Sequence, residues 1–148
     1  MSKQVTSKDV ADNRLALERQ LCFALYSASL AMTKLYRPLL EPLGVTYPQY
    51  LVMIVLWEQD DITISQLGDR LTLDSGTLTP LVKRLEKLEL LVRKRDRKDE
   101  RRVRVSLTAK GRRLRKQAET VPAAAATATG CNFKDLDALT KKINALRA

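Results

Sequence analysis

The chain of 148 residues contains no histidine, and that one absence removes whole classes of chemistry. Without imidazole a single chain cannot assemble a Ser-His-Asp or Cys-His nucleophile, nor a zinc site that uses histidine. The two cysteines, Cys22 and Cys131, cannot form a CxxC pair or a four-thiolate centre. The five glycines are scattered, so neither a P-loop nor a dinucleotide-binding glycine motif is present. An enzyme is therefore not expected, and neither is a metal or a cofactor. Aromatic residues make up only 5% of the chain, and the most basic segment contains none. A binder of single strands or of RNA loops needs aromatic platforms on which bases stack, so duplex nucleic acid is the better match. No apolar run approaches the roughly 18 residues of a membrane span, and Met1 to Asp9 lack the apolar core of a signal peptide. The expected location is the cytoplasm, with no membrane partner.

What the chain has is positive charge and helical periodicity. Twenty-seven basic residues against 17 acidic ones give a net charge of +10, which favours a polyanionic partner. From Ser75 onward, Leu78, Leu81, Val82, Leu85 and Leu88 form one apolar helical stripe, while Ser75, Thr77, Lys83, Arg84 and Lys87 occupy the opposite face. Short hydroxyls at a helix start followed by cations suit a helix that enters a DNA groove end-on. Downstream, Val103, Val105 and Leu107 alternate with Arg102, Arg104 and Ser106, the period of a half-buried strand. The turn before it holds Arg97, and residues 93–104 carry eight Lys or Arg against three acids, enough charge to grip a phosphate backbone. Taken alone, this run reads equally well as an exposed hairpin. The preceding segment decides: Ile64, Leu67 and Leu71 share one side of a short helix with Thr63 as its N-cap. Short helix, tight turn, amphipathic helix and hairpin make a winged helix-turn-helix.

The remaining segments read as helices. A long helix is expected over about 13–36, a short one over about 38–43, and a nearly all-apolar one over about 48–59 that should be the buried centre, with Pro48 in its first turn. Thr108 should cap a helix that passes into the Ala-rich stretch 123–128 and is interrupted by Pro122. Asn132 to Asp135 resembles a capped start for a last helix, on which Leu136, Leu139, Ile143 and Leu146 form a stripe. Pro80 should bend the groove-facing helix. The expected fold is mainly α with a small β-hairpin wing. It is one chain, 1–148, with a winged helix-turn-helix over 45–107 and dimerisation helices over 13–36 and 112–147. The stripes at the two ends offer more apolar surface than one winged helix can cover, which points to a homodimer.

On the first helix, Leu21, Leu25, Ala28, Met32 and Leu35 form one stripe, and Cys22, Tyr26, Ser29, Thr33 and Tyr36 the next. A thiol thus shares a partly buried face with hydroxyls that can donate to a thiolate, the form that reacts with peroxides. At about 1.5 Å per residue, Tyr36 lies roughly 21 Å along the helix from its own Cys22. It could reach only the cysteine of a two-fold partner, whereas Tyr26 is one turn away. The plainer possibility stays open: a cysteine on such a face often acts as a small hydrophobe, and Cys131 as a free thiol in a loop.

These residues carry a resemblance. From about 14 to 147 the chain resembles the multiple-antibiotic-resistance-regulator (MarR) family and, within it, the organic-hydroperoxide-resistance branch. The matching stretches are Leu21 to Tyr26, Tyr36 to Leu40, Leu43 to Tyr50 and Leu73 to Leu81, with the less specific Asp96, Asp99, Glu100 and Arg101 turn and Leu107 to Gly111. The resemblance implies a homodimeric repressor that binds palindromic duplex DNA. It assigns groove contact to Ser75, Gly76, Thr77, Pro80 and Lys83, and the wing tip to Asp99 and Arg101. It makes Cys22 the thiol that organic hydroperoxide oxidises, with Tyr36 and Tyr47 hydrogen-bonding to it and Tyr26 nearby. Cys131 of the partner subunit becomes the resolving cysteine of a two-cysteine subclass. The alternative is a repressor of the same family that responds to a small aromatic ligand, with Cys22 incidental.

Overall fold

A computed structural model of the protein describes residues 14–147. After a 3-10 turn at Leu17–Arg19, the helices are α1 (Leu21–Leu40), α2 (Tyr47–Glu58), α3 (Ile64–Leu71), α4 (Ser75–Lys87), α5 (Ala109–Ala118), α6 (Val121–Thr129) and α7 (Phe133–Ala145). A second 3-10 turn at Glu41–Leu43 joins α1 to α2. The strands are β1 (Ile62–Thr63), β2 (Leu91–Arg95) and β3 (Val103–Leu107), in the antiparallel order β1-β3-β2. The fold is mainly helical, with a winged helix-turn-helix at its centre. No single helix among the described residues is long and apolar enough to cross a membrane.

Two compact units divide at Leu35 and Tyr36, inside α1. The described part of the first unit buries nothing: Leu21 is 55% exposed, Tyr26 63% and Leu30 51%. The face around Cys22, expected to be partly buried, is therefore open in the single chain.

The second unit is built around α2, where Val52, Met53 and Leu56 are almost wholly buried. Thr46 and Gln49 close a capping box at its start, each satisfying an otherwise orphaned N–H of the other, and Pro48 sits in the first turn where no donor is needed. Leu67 from α3 and Leu78, Val82 and Leu85 from α4 fill the same core, each worth about 2 kcal/mol of burial. Helices α3 and α4 approach closely because residue 68 is glycine: a Cβ there would lie 2.8 Å from the Leu73 carbonyl oxygen. Thr63 caps α3 through a second box with Gln66. Asp74 caps α4, Thr108 caps α5 and Asn132 caps α7.

Several boundaries differ from those read off the sequence. The first helix runs to Leu40 rather than ending near 36, with Pro38 inside its last turn, where the missing donor to the Lys34 carbonyl does not end the helix. It also starts later than expected: residue 13 lies outside the described residues, but 14–20 form a turn and the 3-10 turn at Leu17–Arg19, and α-helix begins only at Leu21. The short helix over 38–43 shrinks to the 3-10 turn at Glu41–Leu43. The helix expected to pass from Thr108 into the Ala-rich stretch is two helices, with Pro122 in the first turn of the second. A proline there cannot donate back to the Ala118 carbonyl. Leu88 leaves the buried stripe and is 38% exposed. Helix α4 ends one residue earlier, and Glu89 adopts φ +60° to turn the chain into β2. Helix α4 continues unbroken through Pro80. The two-residue strand β1 adds a third strand to the expected hairpin.

Candidate nucleic-acid interface and thiol site

The outer face of α4 presents Ser75, Gly76, Thr77, Pro80, Lys83, Arg84 and Lys87 to solvent. The Thr77 N–H donates to the Asp74 carboxylate at 2.7 Å. This bond holds the Asp74 carboxyl below its ordinary pKa and fixes the first turn while leaving hydroxyls and cations exposed. On the inner face Leu78, Val82 and Leu85 are fully buried, so the helix is anchored from behind.

The wing is less cationic than its composition suggests. Arg93 pairs with Glu86 at 2.8 Å, Arg102 with Asp99 at 3.5 Å, and Arg104 with both Asp61 and Asp96. That leaves Lys94, Arg95, Arg97, Lys98 and Arg101 without an ion pair among the described residues, all of them exposed. The turn is tied internally: Asp96 N–H donates to the Arg102 carbonyl, Lys98 N–H to the Asp96 carboxylate, and Arg101 N–H to the Asp99 carboxylate. Asp99 thus shapes the turn that carries Arg101. A cleft of about 470 Å³ at the base of the wing is lined by Lys94, Arg95, Arg97 and Lys98 together with Asp61, Asp96 and Arg104.

Of the residues assigned to the thiol site, Tyr36 and Tyr47 are brought together, their ring centroids 4.8 Å apart. Tyr50 joins them at 6.1 Å from Tyr36 and 6.3 Å from Tyr47, and its ring in turn meets Trp57 at 6.4 Å. Burial raises the pKa of all three phenols, so each remains a protonated hydrogen-bond donor. Tyr50 and Trp57 carry no distinguishing signal in the sequence, because an all-apolar helix has no face to single them out. Cys22 and Tyr26 stand exposed in the first unit. Cys131 is also exposed and unbridged, its Sγ 3.8 Å from the Thr129 carbonyl, just ahead of α7. Phe133 and Leu139 on α7, and Leu146 just past its end, are each more than half exposed.

Comparison with known proteins gives this arrangement a context. Residues 34–118 match the family described as transcriptional regulator SarA/Rot. The organic hydroperoxide resistance transcriptional regulator of Bacillus subtilis strain 168 is 50% identical over 110 residues, 74% of this chain and 75% of that protein. The HTH-type transcriptional regulator TtmR of Methylorubrum extorquens strain PA1 is 44% identical over 145 residues, 98% of this chain and 74% of that one. Among solved structures, reduced AbfR bound to DNA superposes with a TM-score of 0.75 at 34% identity, covering 93% of this chain and 94% of that one. AbfR, a protein of Staphylococcus epidermidis, is also known in a disulfide-formed state, with a TM-score of 0.63 at 31% identity over 95% and 99% of the two chains. The chain belongs to the SarA/Rot-type, MarR-like family of winged-helix transcriptional regulators.

Proposed function

We propose that this regulator is a homodimeric repressor that holds palindromic duplex DNA while Cys22 is reduced and releases it when organic hydroperoxide oxidises that thiol. The observation that carries the reading is the setting of Cys22. A free thiol stands on a helix face whose apolar neighbours, Leu21 and Phe23, the single chain leaves 55% and 41% exposed. Over 110 residues the chain is 50% identical to an organic hydroperoxide resistance transcriptional regulator. In the dimer, helices within 13–36 and 112–147 cover one another, and the winged helix-turn-helix of 45–107 from each subunit meets one half-site. Ser75, Gly76, Thr77, Pro80, Lys83 and Arg84 face the major groove, while Arg97 and Arg101 on the Asp99 turn face the minor groove and its phosphates.

The chemistry balances in two steps. The Cys22 thiolate attacks the terminal peroxide oxygen, the O–O bond breaks, and the leaving alkoxide takes a proton to become an alcohol, leaving sulfenic acid on Cys22. The Cys131 thiolate of the partner subunit then displaces hydroxide from that sulfur, giving a disulfide and, once the hydroxide takes a proton, water. Tyr36 and Tyr47 of the partner, with Tyr26, donate hydrogen bonds that favour the thiolate. A disulfide requires the two Cα atoms to come within about 7 Å, so the helices bearing the cysteines shift. Half-sites about 34 Å apart tolerate little change in the spacing of the recognition helices, and affinity falls.

Non-reducing gels together with a mobility shift on the protein's own promoter test the scheme. After organic hydroperoxide the wild type should run as a covalent dimer and leave the DNA, and dithiothreitol should reverse both. Release without any thiol chemistry would favour a small aromatic inducer instead.

A further inference from the structure

The most tightly tied polar group in the wing is Arg104, the second residue of β3. Its Nε donates to the Asp61 carboxylate at 2.9 Å, one terminal nitrogen to the Asp96 carboxylate at 3.3 Å, and the other to the backbone carbonyl of Asp61. Ser106 Oγ donates to the same Asp61 carboxylate at 3.2 Å. Asp61 holds φ +55°, a left-handed conformation that Asp adopts more readily than most residues, and this turn points both its carbonyl and its side chain at β3. The neighbouring Asp60 accepts from Leu107 N–H at 2.8 Å and pairs with Arg112 of α5 at 3.6 Å. The loop at 60–61 is thus the fixed end of the arrangement.

The other end lies in the wing tip. Asp96 is only 15% exposed at its side chain. One of its oxygens accepts from Arg104 and the other from Lys98 N–H at 2.7 Å. A continuous chain of bonds therefore runs from the 60–61 loop through Arg104 and Asp96 to the turn that carries Arg97, Lys98 and Arg101. It is needed because the sheet gives out: β1 reaches only as far as the Thr63 to Arg104 pair, and beyond that point the hairpin has two strands, which are marginal in water. Lys94 lies directly opposite Arg104 across the hairpin, a like-charge pair that would loosen the strands unless carboxylates offset it. Arg104 itself is a poor phosphate ligand, because two carboxylates surround its single charge.

We infer that Arg104 is a positioning residue: with Asp61 and Asp96 it sets the pitch of the wing, and so decides whether Arg97 and Arg101 reach the minor groove. This rests on the reading above that the wing meets DNA. Electrostatics and positioning predict opposite signs for one substitution. Asp61→Asn removes a negative charge, which by charge alone should tighten binding to DNA. If Asp61 anchors the wing, the same change weakens it.

The test measures affinity across a salt series for a palindromic duplex selected in vitro with the wild-type dimer. Wild type is compared with Asp61→Asn, Arg104→Gln, Arg101→Ala and the Arg101→Ala/Arg104→Gln double variant, and thermal midpoints are checked for an intact fold. Asp61→Asn and Arg104→Gln should each weaken binding by about five- to tenfold. The double variant should lose clearly less than the product of the two single losses, because with Arg101 gone Arg104 has only Arg97 left to position. Binding by Asp61→Asn as tight as wild type or tighter would overturn the inference, as would independent, multiplying losses in the double variant. If Arg101→Ala changes nothing, the wing is off the DNA, and the clamp's role falls with the broader reading by a different pattern of results.

Discussion

The indole N–H of Trp57 donates to the carbonyl of Gly111 at 2.9 Å, joining α2 to α5 across 54 positions of sequence. Gly111 is buried where α5 crosses the start of β2, and a Cβ at that position would stand 2.0 Å from the Leu90 carbonyl oxygen. The clash would be with backbone, which cannot swing aside. Gly111→Ala should therefore cost about 3 kcal/mol or more, whereas Trp57→Phe, which keeps most of the ring and loses one bond, should cost about 1 kcal/mol from the hydrogen bond. Chemical denaturation of the two variants checks the order. Equal losses would mean that the close approach is not needed.

Assembly follows from what the single chain leaves uncovered. Phe133 and Leu139 on α7, Leu146 just past its end, and Leu21 and Leu30 on α1 are each more than half exposed, more apolar surface than a stable monomer usually shows. Sedimentation at micromolar concentration should give a particle of about twice the 16.7 kDa chain mass, with unfolding that depends on concentration. A monomer would refute the proposed dimer.

Lys83 stands on the exposed face of α4, with Val82 and Leu85 buried beside it. Lys83→Ala should weaken DNA binding and lower the slope of log affinity against log salt by about one unit for each phosphate left without its cation, with no change in dimer mass. An unaltered slope would place that face away from phosphate.

Burial raises the phenols of Tyr36, Tyr47 and Tyr50 above their ordinary value of 10.0. A group whose folded pKa is raised contributes stability that is complete below the unfolded value and is lost as pH rises through the folded one. The protein should thus lose stability from this cluster only above about pH 10, with tyrosinate absorbance from these three rings appearing later than in the unfolded chain. Coincident titration of folded and unfolded protein would show that the cluster is open to water.

Much of this is legible in the residues. Local signals with a short physical reach hold: Thr63, Thr108 and Asn132 cap helices where expected, and the alternation from Val103 to Leu107 is a strand. What escapes depends on distant partners. The run of eight cations over 93–104 looks uniform, and nothing in it shows that Arg104 is tied to Asp61, 43 positions away, or that Glu86 takes Arg93. Strand β1 has two residues, too few for any periodicity, and forms because Ile62 and Thr63 find the free edge of β3. Pro38 misleads, since it rides inside a helix end, whereas the interruption expected at Pro122 is a full break at which a new helix opens.

In the proposed mechanism, oxidation of Cys22 governs the hold on DNA. Its most direct test is the mobility shift of Cys22→Ser beside wild type, before and after one equivalent of organic hydroperoxide per thiol. Both proteins should bind equally when reduced, because Cys22 lies outside the winged helix. After treatment the wild type should be released while Cys22→Ser stays bound, since serine cannot form a sulfenic acid. Release of Cys22→Ser as readily as wild type would contradict the account.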